Sequence, residues 1–382
     1  MHELYDIISI FMTGALVLTC GLILLFTVKP EIPLLSNYRK ARYALACAYL
    51  FFFLVNVIEY MFSNKSEENI PLLQTITLTI AASQALLFTF VMLSLLEVRF
   101  PGWRYILREI IPVILLFIIV FVVYIFCSHE FFAFAFYGFT GLYILLLVRY
   151  TRLFLRSYRQ FRYRMNNYYS DEQAEHLRWV SFSFFAALTI GIMALFSVIF
   201  MSMFGALIFT FVCDIFYTFF AIRFINYAHQ FHIIAQAMNT DEIEDTDILT
   251  EIKVELTETK KVHLSSMAQN TIDSNLNHWI DGKHFRQNGI TIGDVSRHIG
   301  TNSKYLSLHI NKHMNKTFRE WINDLRIEEA KRLLIEYQDM SVKEIANTIG
   351  FSSNNYFGKL FLKNTGKTPI VWRKEHLTIN NE

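Results

Sequence analysis

Hydrophobic positions follow two different patterns along the chain, and the pattern changes near residue 226. Upstream, apolar residues form continuous runs of roughly 20 residues, the length that an α-helix needs to cross a bilayer. We predict seven membrane spans from these runs, approximately Ile7–Val28, Tyr43–Phe62, Pro71–Leu96, Tyr105–Cys127, Phe131–Val148, Trp179–Phe200 and Phe204–Ile222. Downstream, apolar residues recur at helical spacing between polar ones, which favours an all-α domain outside the membrane.

The basic residues of the predicted loops indicate an orientation. Lysine and arginine concentrate after the first, third and fifth spans, with six arginines between Arg149 and Arg164, whereas the alternate loops hold only Lys65. Cytoplasmic loops carry the excess of positive charge in membrane proteins. We therefore predict a multi-pass membrane protein, with the N-terminus outside, the C-terminal domain in the cytoplasm and the lipid bilayer as a partner.

Composition agrees with a membrane protein, because 53% of the residues are hydrophobic and 16% are aromatic. All four cysteines lie in apolar runs, which predicts small buried side chains and neither a metal site nor a disulfide framework. No nucleophile–base pair or phosphate-binding loop is evident, so the sequence predicts neither an enzyme nor a cofactor.

Three polar residues inside the predicted spans are candidate sensor groups. Asp214 is the one charged residue between Arg178 and Arg223, and a carboxylate at that depth is costly unless it is paired or hydrated. Gln84 and Asn56 also lie within spans. They are interpreted either as a site for a small-molecule or envelope signal, or as groups that hydrogen-bond between helices.

Residues 227–262 are predicted to be a linker between a membrane domain, 1–226, and a C-terminal domain, 263–382. The stretch Asp241–Thr259 holds eight acidic residues and one lysine, and it lacks the aromatic residues of a packed core. That composition is typical of a solvated connector. A hinge or a dimerising helix over residues 248–262 is the alternative interpretation, and the latter would make the chain a homodimer.

The C-terminal domain contains one helical pattern twice. Thr291 and Ser341, fifty residues apart, each begin a short amphipathic helix that ends at a turn glycine. A second helix follows in each copy, and we predict Ser303 as its cap in the first copy and Ser352 or Ser353 in the second. Helix–turn–helix units of this kind place their second helix in the major groove of DNA.

A longer helix is predicted between the two copies, from Thr317 to Glu336. Its length of about 30 Å is close to the ~34 Å that separates major-groove faces one turn apart. One rigid helix could therefore hold both recognition helices against the same side of a duplex.

The segments that follow resemble the AraC/XylS family of bacterial transcription regulators over roughly residues 270–376. The resemblance rests on Leu325–Leu334, Ile345–Ser353, Tyr356–Phe361, Thr365–Pro369 and the pair Trp372 and Arg373. It implies an all-helical domain of two helix–turn–helix units that recognises promoter DNA, with RNA polymerase as a further partner. By position, the recognition helices would be Ser303–His313 and Ser353–Lys363, and the membrane domain stands in place of the family's usual soluble ligand domain.

Nine polar residues on these two helices are candidate DNA contacts. They are Ser303, Lys304, Ser307 and Lys312 in the first helix, and Ser353, Asn354, Asn355, Lys359 and Lys363 in the second. Asparagine pairs bidentately with adenine, whereas lysine contacts guanine or phosphate. Leu308 departs from the family, which often has a basic or polar residue there; leucine can touch only a thymine methyl group.

Together these patterns predict a membrane-bound one-component transcription regulator whose membrane domain senses a signal. Three alternatives stay open at this point. The linker could be cut to release a soluble transcription factor, the spans could be a passive tether, or the chain could be a receptor or transporter whose C-terminal domain binds a protein.

Overall fold

The computed structural model describes residues 14, 17–24, 26, 36–63, 70–96, 103–126, 129–171, 178–199, 203–227 and 272–379. Regular structure in these residues is helical, and an isolated antiparallel bridge joins Tyr169 to Thr291. The chain divides into two compact units, Met1–Phe161 with Leu177–Ala235 and Arg162–His176 with Gln236–Glu382. The division differs from the predicted one because residues 162–176 group with the second unit. The predicted linker lies outside the described residues, apart from Tyr227.

Six long helices lie wholly or mostly within the described part of the first unit. They are α1 (Ser36–Ser63), α2 (Ile70–Leu96), α3 (Trp103–Phe126), α4 (His129–Tyr168), α5 (Arg178–Ile199) and α6 (Met203–Tyr227). Residues 17–24 are also helical.

Four of these helices contain segments that are long and apolar enough to cross a membrane, within the part of the chain that the structure describes. The segments are Gln74–Leu96, Leu107–Phe126, Glu130–Tyr168 and Arg178–Phe196, and they coincide with the third to sixth predicted spans. Helices α1 and α6 lie where the second and seventh spans are predicted. Most of the first predicted span lies outside the described residues, so the count of seven stays a prediction.

Helix α4 corrects one sequence-based expectation. The fifth span was expected to end near Val148 and to be followed by a basic loop, whereas α4 continues to Tyr168 as one helix of 40 residues, about 60 Å long. The physical reason is local, because residues 149–168 contain no glycine or proline and include six arginines, and arginine is a good helix former.

Tyrosine hydroxyls tie the helices of the first unit together. Tyr38 donates to the carbonyl of Phe224 at 3.0 Å, and Tyr227 donates to that of Leu95 at 3.2 Å. Helix α3 instead exposes a broad apolar surface, which includes Leu107, Ile111, Ile114, Leu115, Ile118 and Ile119. In a hydrocarbon environment, polar groups must form hydrogen bonds within the protein and apolar side chains must face outward. The first unit has both properties at these positions.

The second unit consists of shorter helices with well-defined starts. They are α7 (272–281), α8 (Ile292–Ile299), α9 (Ser303–Met314), α10 (Phe318–Glu336), α11 (Val342–Thr348), α12 (Asn354–Thr365) and α13 (Pro369–Ile379), with a 3-10 turn at His284–Arg286. Thr291, Thr317 and Ser341 begin α8, α10 and α11 with reciprocal capping boxes, in which the third helical residue is Asp or Glu. Thr291 and Ser341 are therefore the caps that the sequence predicted.

The predicted cap of α9 is wrong by one residue. Asn302 is the cap, and its side-chain oxygen accepts a hydrogen bond from the backbone N–H of Tyr305 at 2.8 Å. Ser303 is instead buried, with its Oγ 3.1 Å from the Oγ of Ser296 on α8. Both residue types cap helices well, so the packing of α8 against α9 decides between them.

Two hydrophobic cores lie along α10. The first half of α10 supplies Trp321 and Ile322 to a core formed with α7, α8 and α9. The second half supplies Ile327 and Leu334 to a core formed with α11 and α12. One helix thus carries both helix–turn–helix units, as the sequence predicted.

Candidate nucleic-acid interface

The helix caps set the register between the two recognition helices. Asn302 caps α9 and Ser353 caps α12, so these caps lie 51 positions apart, whereas Thr291 and Ser341 lie 50 apart. The turn of the second unit is therefore one residue longer. The buried positions show the same offset of 51 residues, because Leu306 and Phe357 are both fully buried.

The same offset aligns the exposed candidates. Lys304 matches Asn355, Leu308 matches Lys359 and Lys312 matches Lys363. All six side chains are exposed except Lys304, which is half-buried. The two helices thus present corresponding outer faces, and the apolar Leu308 lies where the second helix has Lys359.

On α12, three candidates form one stripe. Asn355, Lys359 and Lys363 are exposed and follow one another at intervals of four residues, so they lie on one face of the helix. Asn354 is exposed beside the stripe. The hydroxyl of Ser353 accepts a hydrogen bond from the N–H of Tyr356 at 3.3 Å, so its first role is to cap α12.

The candidates on α9 are less uniform. Ser307 is half-buried and accepts a hydrogen bond from Asn311 at 3.2 Å. Burial of Ser303 at the crossing of α8 and α9 removes it from the face that a base edge could reach. Sequence reasoning missed Tyr305, which is 53% exposed between Lys304 and Leu308. Recognising Asn302 as the cap of α9 would have placed Tyr305 on the outer face of the helix.

A glycine allows the turn of the second unit. Gly350 has φ +91°, and a Cβ built there would lie 2.4 Å from the carbonyl oxygen of Arg286 and 3.0 Å from Nη2 of Arg326. Only glycine avoids both the strained backbone and this collision.

Arg326 is the second residue that sequence reasoning missed. Its side chain is fully buried on α10, where Nε donates to the carbonyl of Phe285 at 3.0 Å and Nη2 donates to that of Gln287 at 2.7 Å. The guanidinium also lies over the ring of Phe351, 5.5 Å from its centre. Burial lowers the pKa of Arg326, and the nearby carboxylate of Asp171 acts in the opposite direction.

A mostly buried carboxylate pairs with three basic residues beside this turn. Glu329 accepts hydrogen bonds from Lys283 at 3.1 Å, from Arg332 at 2.9 and 3.2 Å, and from Arg286. The hydrogen bonds from Arg332, followed by those from Arg286 and Lys283, lower the pKa of Glu329 to about 2. These three cations are therefore already engaged within the protein.

The three sensor candidates lie on different helices of the first unit. Asp214 is half-buried on α6 beside the buried Cys213. Gln84 on α2 donates to the carbonyl of Ala48 on α1 at 3.4 Å, so it contributes to helix packing. Asn56 lies on α1. Among the described residues, no group of three His, Cys, Asp or Glu side chains is arranged to hold a metal ion.

The two units on α10 and their aligned faces agree with comparisons to known proteins. Residues 295–375 match the family described as a helix-turn-helix domain. The domain is of the AraC type, and its relatives are transcription regulators. The match lies within the region over which the sequence motifs resemble the AraC/XylS family.

Three relatives illustrate the match. The chain is 38% identical over 87 residues to the HTH-type transcriptional regulator YijO of Escherichia coli, covering 23% of this chain and 30% of the relative. It is 35% identical over 105 residues to an HTH-type transcriptional regulator in the cgkA 5' region of Pseudoalteromonas carrageenovora, covering 28% and 60%. It is 34% identical over 85 residues to the melibiose operon regulatory protein of Escherichia coli, covering 22% and 28%.

These matches cover between 28% and 60% of the relatives' own lengths. No solved structure matches the chain significantly.

Proposed function

We propose that the chain is a membrane-bound one-component transcription regulator whose second unit binds promoter DNA with sequence specificity. The observation that carries the proposal is the pair of aligned, exposed faces on α9 and α12, both attached to α10. With 19 residues, α10 is about 28 Å long, comparable to the ~34 Å between successive major-groove faces. Two recognition helices held in this way can read one side of a duplex.

The two helices would contribute unequally. The exposed amide of Asn355 suits bidentate pairing with adenine, and Lys359 suits guanine or a phosphate. At the position of Lys359, α9 has Leu308, which is 44% exposed and offers an apolar contact to a thymine methyl group. Lys304, Lys312, Lys363 and Asn354 add phosphate or base-edge contacts, and RNA polymerase is the further protein partner of a promoter-bound regulator.

The first unit would span the bacterial inner membrane seven times, with the N-terminus outside and the second unit in the cytoplasm. The four apolar helices and the lipid-compatible surface of α3 support a membrane location. Arg149 of α4 makes a bidentate ion pair with Glu109 of α3, at 2.6 and 2.8 Å. Glu109 lies near the start of the apolar segment of α3, and Arg149 directly follows the predicted fifth span, so both charges have a partner. The arginines that follow on α4 favour the cytoplasmic side.

Sensing is the proposed role of the membrane domain, with Asp214 as its principal group and with Gln84 and Asn56 as secondary candidates. A half-buried carboxylate within an apolar helix can bias two packings of the helices through its charge state or its partner. The isosteric variant Asp214→Asn should then fix promoter output in one state. A parental response to the signal from both Asp214→Asn and Asp214→Leu would remove Asp214 from the sensing mechanism.

Removal of one amide should change sequence discrimination. In full-length protein in detergent micelles, we expect Asn355→Ala to lose on the order of 1–3 kcal/mol of discrimination at one base pair. Lys363→Ala should weaken binding to all duplexes alike and lower the salt slope by about one. The measurement is fluorescence anisotropy on duplexes that the parent protein selects from a random library.

Asn364→Ala is the matched control, because Asn364 is exposed on α12 but donates to the carbonyl of Leu360 on its own helix. Its discrimination should equal that of the parent. Absence of any duplex binding by the parent at low salt would refute the regulator proposal.

Topology can be tested independently of DNA. Reporter fusions after residues 40, 103, 160 and 235 should report the cytoplasm, and fusions near residues 66 and 129 should report the outside, because basic loops stay inside. Paired reporters that are active on opposite sides of the membrane provide the control at each position. A cytoplasmic signal near residue 129 would contradict the seven-span arrangement.

A further inference from the structure

The last turns of α4 fold with the DNA-binding domain. Residues 162–176 belong to the second compact unit, although the candidate span on α4 runs from Glu130 to Tyr168. Tyr168 packs against the first core of that unit, and the side chains of Tyr169 and Ser170 are buried. We call residues 166–171 the docking segment.

Backbone pairing holds the docking segment at the start of the first helix–turn–helix unit. Tyr169 forms an antiparallel bridge with Thr291, the cap of α8, and the N–H of Ser170 donates to the carbonyl of Ile290 at 3.1 Å. Because Thr291 begins the first helix–turn–helix unit, the docking segment pairs with the chain at the point where that unit starts.

Two arginines of α10 also contact the docking segment. Nη1 of Arg319 donates to Oδ1 of Asn166 at 3.3 Å, and Nη1 of Arg326 lies 3.4 Å from Oδ1 of Asp171. The side chain of Asp171 is only 13% exposed and that of Arg326 is fully buried. An ion pair in such surroundings is screened little by salt, and loss of one partner leaves the other charge buried without compensation.

Arg326 occupies the junction between the two helix–turn–helix units. Its neighbours on α10 divide there, since Ile322 belongs to the first core and Ile327 to the second. Its hydrogen bonds reach the chain before α8, while its guanidinium lies over Phe351 in the turn of the second unit. Asp171 thus pairs with the residue that connects both halves of the proposed DNA-reading surface.

We propose that the docking segment is a positioning element for DNA recognition: through Asp171 and Arg326 it holds the two helix–turn–helix units in one relative arrangement. The inference rests on the proposed function. It adds that the segment at the end of α4 sets the arrangement of the DNA-reading units. Units held at a fixed spacing bind two half-sites together with little loss of conformational freedom. Release of the docking segment relaxes the spacing, so the affinity for a two-half-site duplex falls while each unit keeps its own contacts.

Docking itself is tested without DNA. In full-length protein with its four native cysteines replaced by alanine, Tyr169→Cys and Thr291→Cys should form a disulfide on mild oxidation in micelles. Bridged residues lie about 4.5–5.5 Å apart at Cα, within the range that a disulfide spans. The control pair Tyr169→Cys and Thr301→Cys should not cross-link, because Thr301 follows the other end of α8, about 15 Å from Thr291. Failure of the first pair to cross-link overturns the docking.

Positioning is tested with duplexes selected from a random library by the parent protein, each prepared with two half-sites and with one. We expect Asp171→Asn to lower the affinity for the two-half-site duplex about tenfold and to leave the one-half-site affinity unchanged. Asp281→Asn, an exposed aspartate at the end of α7, is the matched control and should bind both duplexes like the parent.

The possible outcomes separate the two proposals. Equal affinities for Asp171→Asn and Asp281→Asn, or an equal loss by Asp171→Asn on both duplexes, overturn the positioning role while the regulator proposal stands. If the parent selects no duplex, the regulator proposal fails together with the positioning role, and the disulfide still reports whether the segment docks.

Discussion

Gly350→Ala is expected to destabilise the second unit by on the order of 3 kcal/mol, a large share of the roughly 5–15 kcal/mol that keeps a typical domain folded. Two effects add. An alanine at φ +91° pays the steric penalty of left-handed backbone, and its Cβ would lie 2.4 Å from the carbonyl oxygen of Arg286. That oxygen belongs to the main chain, so the collision is relieved only if the 3-10 turn moves away from α11.

Gly366→Ala is the control that separates these effects. Gly366 caps α12 with φ +74°, but a Cβ there meets no atom within 4 Å. We expect this variant to lose about 1–2 kcal/mol, the cost of the backbone alone. The free energy of unfolding of the second unit is measured by pulse proteolysis of full-length protein in micelles. Equal losses in the two variants would show that the Arg286 carbonyl does not restrict residue 350.

Local chemistry explains which features the sequence could predict. The caps at Thr291 and Ser341 depend on residues three positions away, and the cores follow helical spacing, so a single chain segment contains the information. The extent of α4 was missed because a run of arginines was interpreted as a loop, although nothing in residues 149–168 stops a helix.

Contacts between distant segments explain the remaining errors. Asn302 and Ser303 are both good caps, and only the pairing of Ser303 with Ser296 shows which residue is buried. Arg326 and Asp171 are 155 residues apart, so no periodicity connects them. The available signal was the position of Arg326 between two apolar residues of an amphipathic helix. A buried arginine requires a carboxylate partner, and no local rule predicts which carboxylate that is.

Chemical differences between the recognition helices divide the proposed interface into a reading half and an anchoring half. Asn355 on α12 offers an amide where α9 has Lys304, and Lys359 offers a hydrogen-bond donor where α9 has the apolar Leu308. Hydrogen bonds to base edges specify sequence, whereas charge and apolar contacts discriminate less. Sequence specificity should therefore be concentrated in the half-site that α12 contacts. Helix α9 should contribute mainly affinity, because α10 holds it at a fixed distance from α12.

Glu329→Gln is expected to lower the stability of the second unit at pH 7 by about 3 kcal/mol, which corresponds to the difference between a pKa of about 2 in the folded protein and the ordinary value of 4.5. The substitution keeps the side chain's shape but removes the charge that faces Lys283, Arg286 and Arg332. Only 9% of the Glu329 side chain is exposed, but the side chains of Lys283 and Arg332 are 42% and 44% exposed. Solvent therefore compensates part of the loss, and about 3 kcal/mol is the upper bound of the effect.

The stability contributed by Glu329 should decrease at low pH. The pKa of Glu329 is lowered on folding, so its stabilising effect is fully present above about pH 4.5 and is lost as the pH falls toward about 2. The stability of the parent should therefore decrease over this range more steeply than that of Glu329→Gln, which has no carboxylate to protonate. Glu336→Gln is the control on the same helix, because Glu336 pairs only at the surface with Arg332 and should contribute less than about 1 kcal/mol. Stability is measured against pH by pulse proteolysis with an acid-active protease. Parallel profiles for the parent and Glu329→Gln would contradict the role of Glu329 and would attribute the acid sensitivity of the second unit to its other carboxylates.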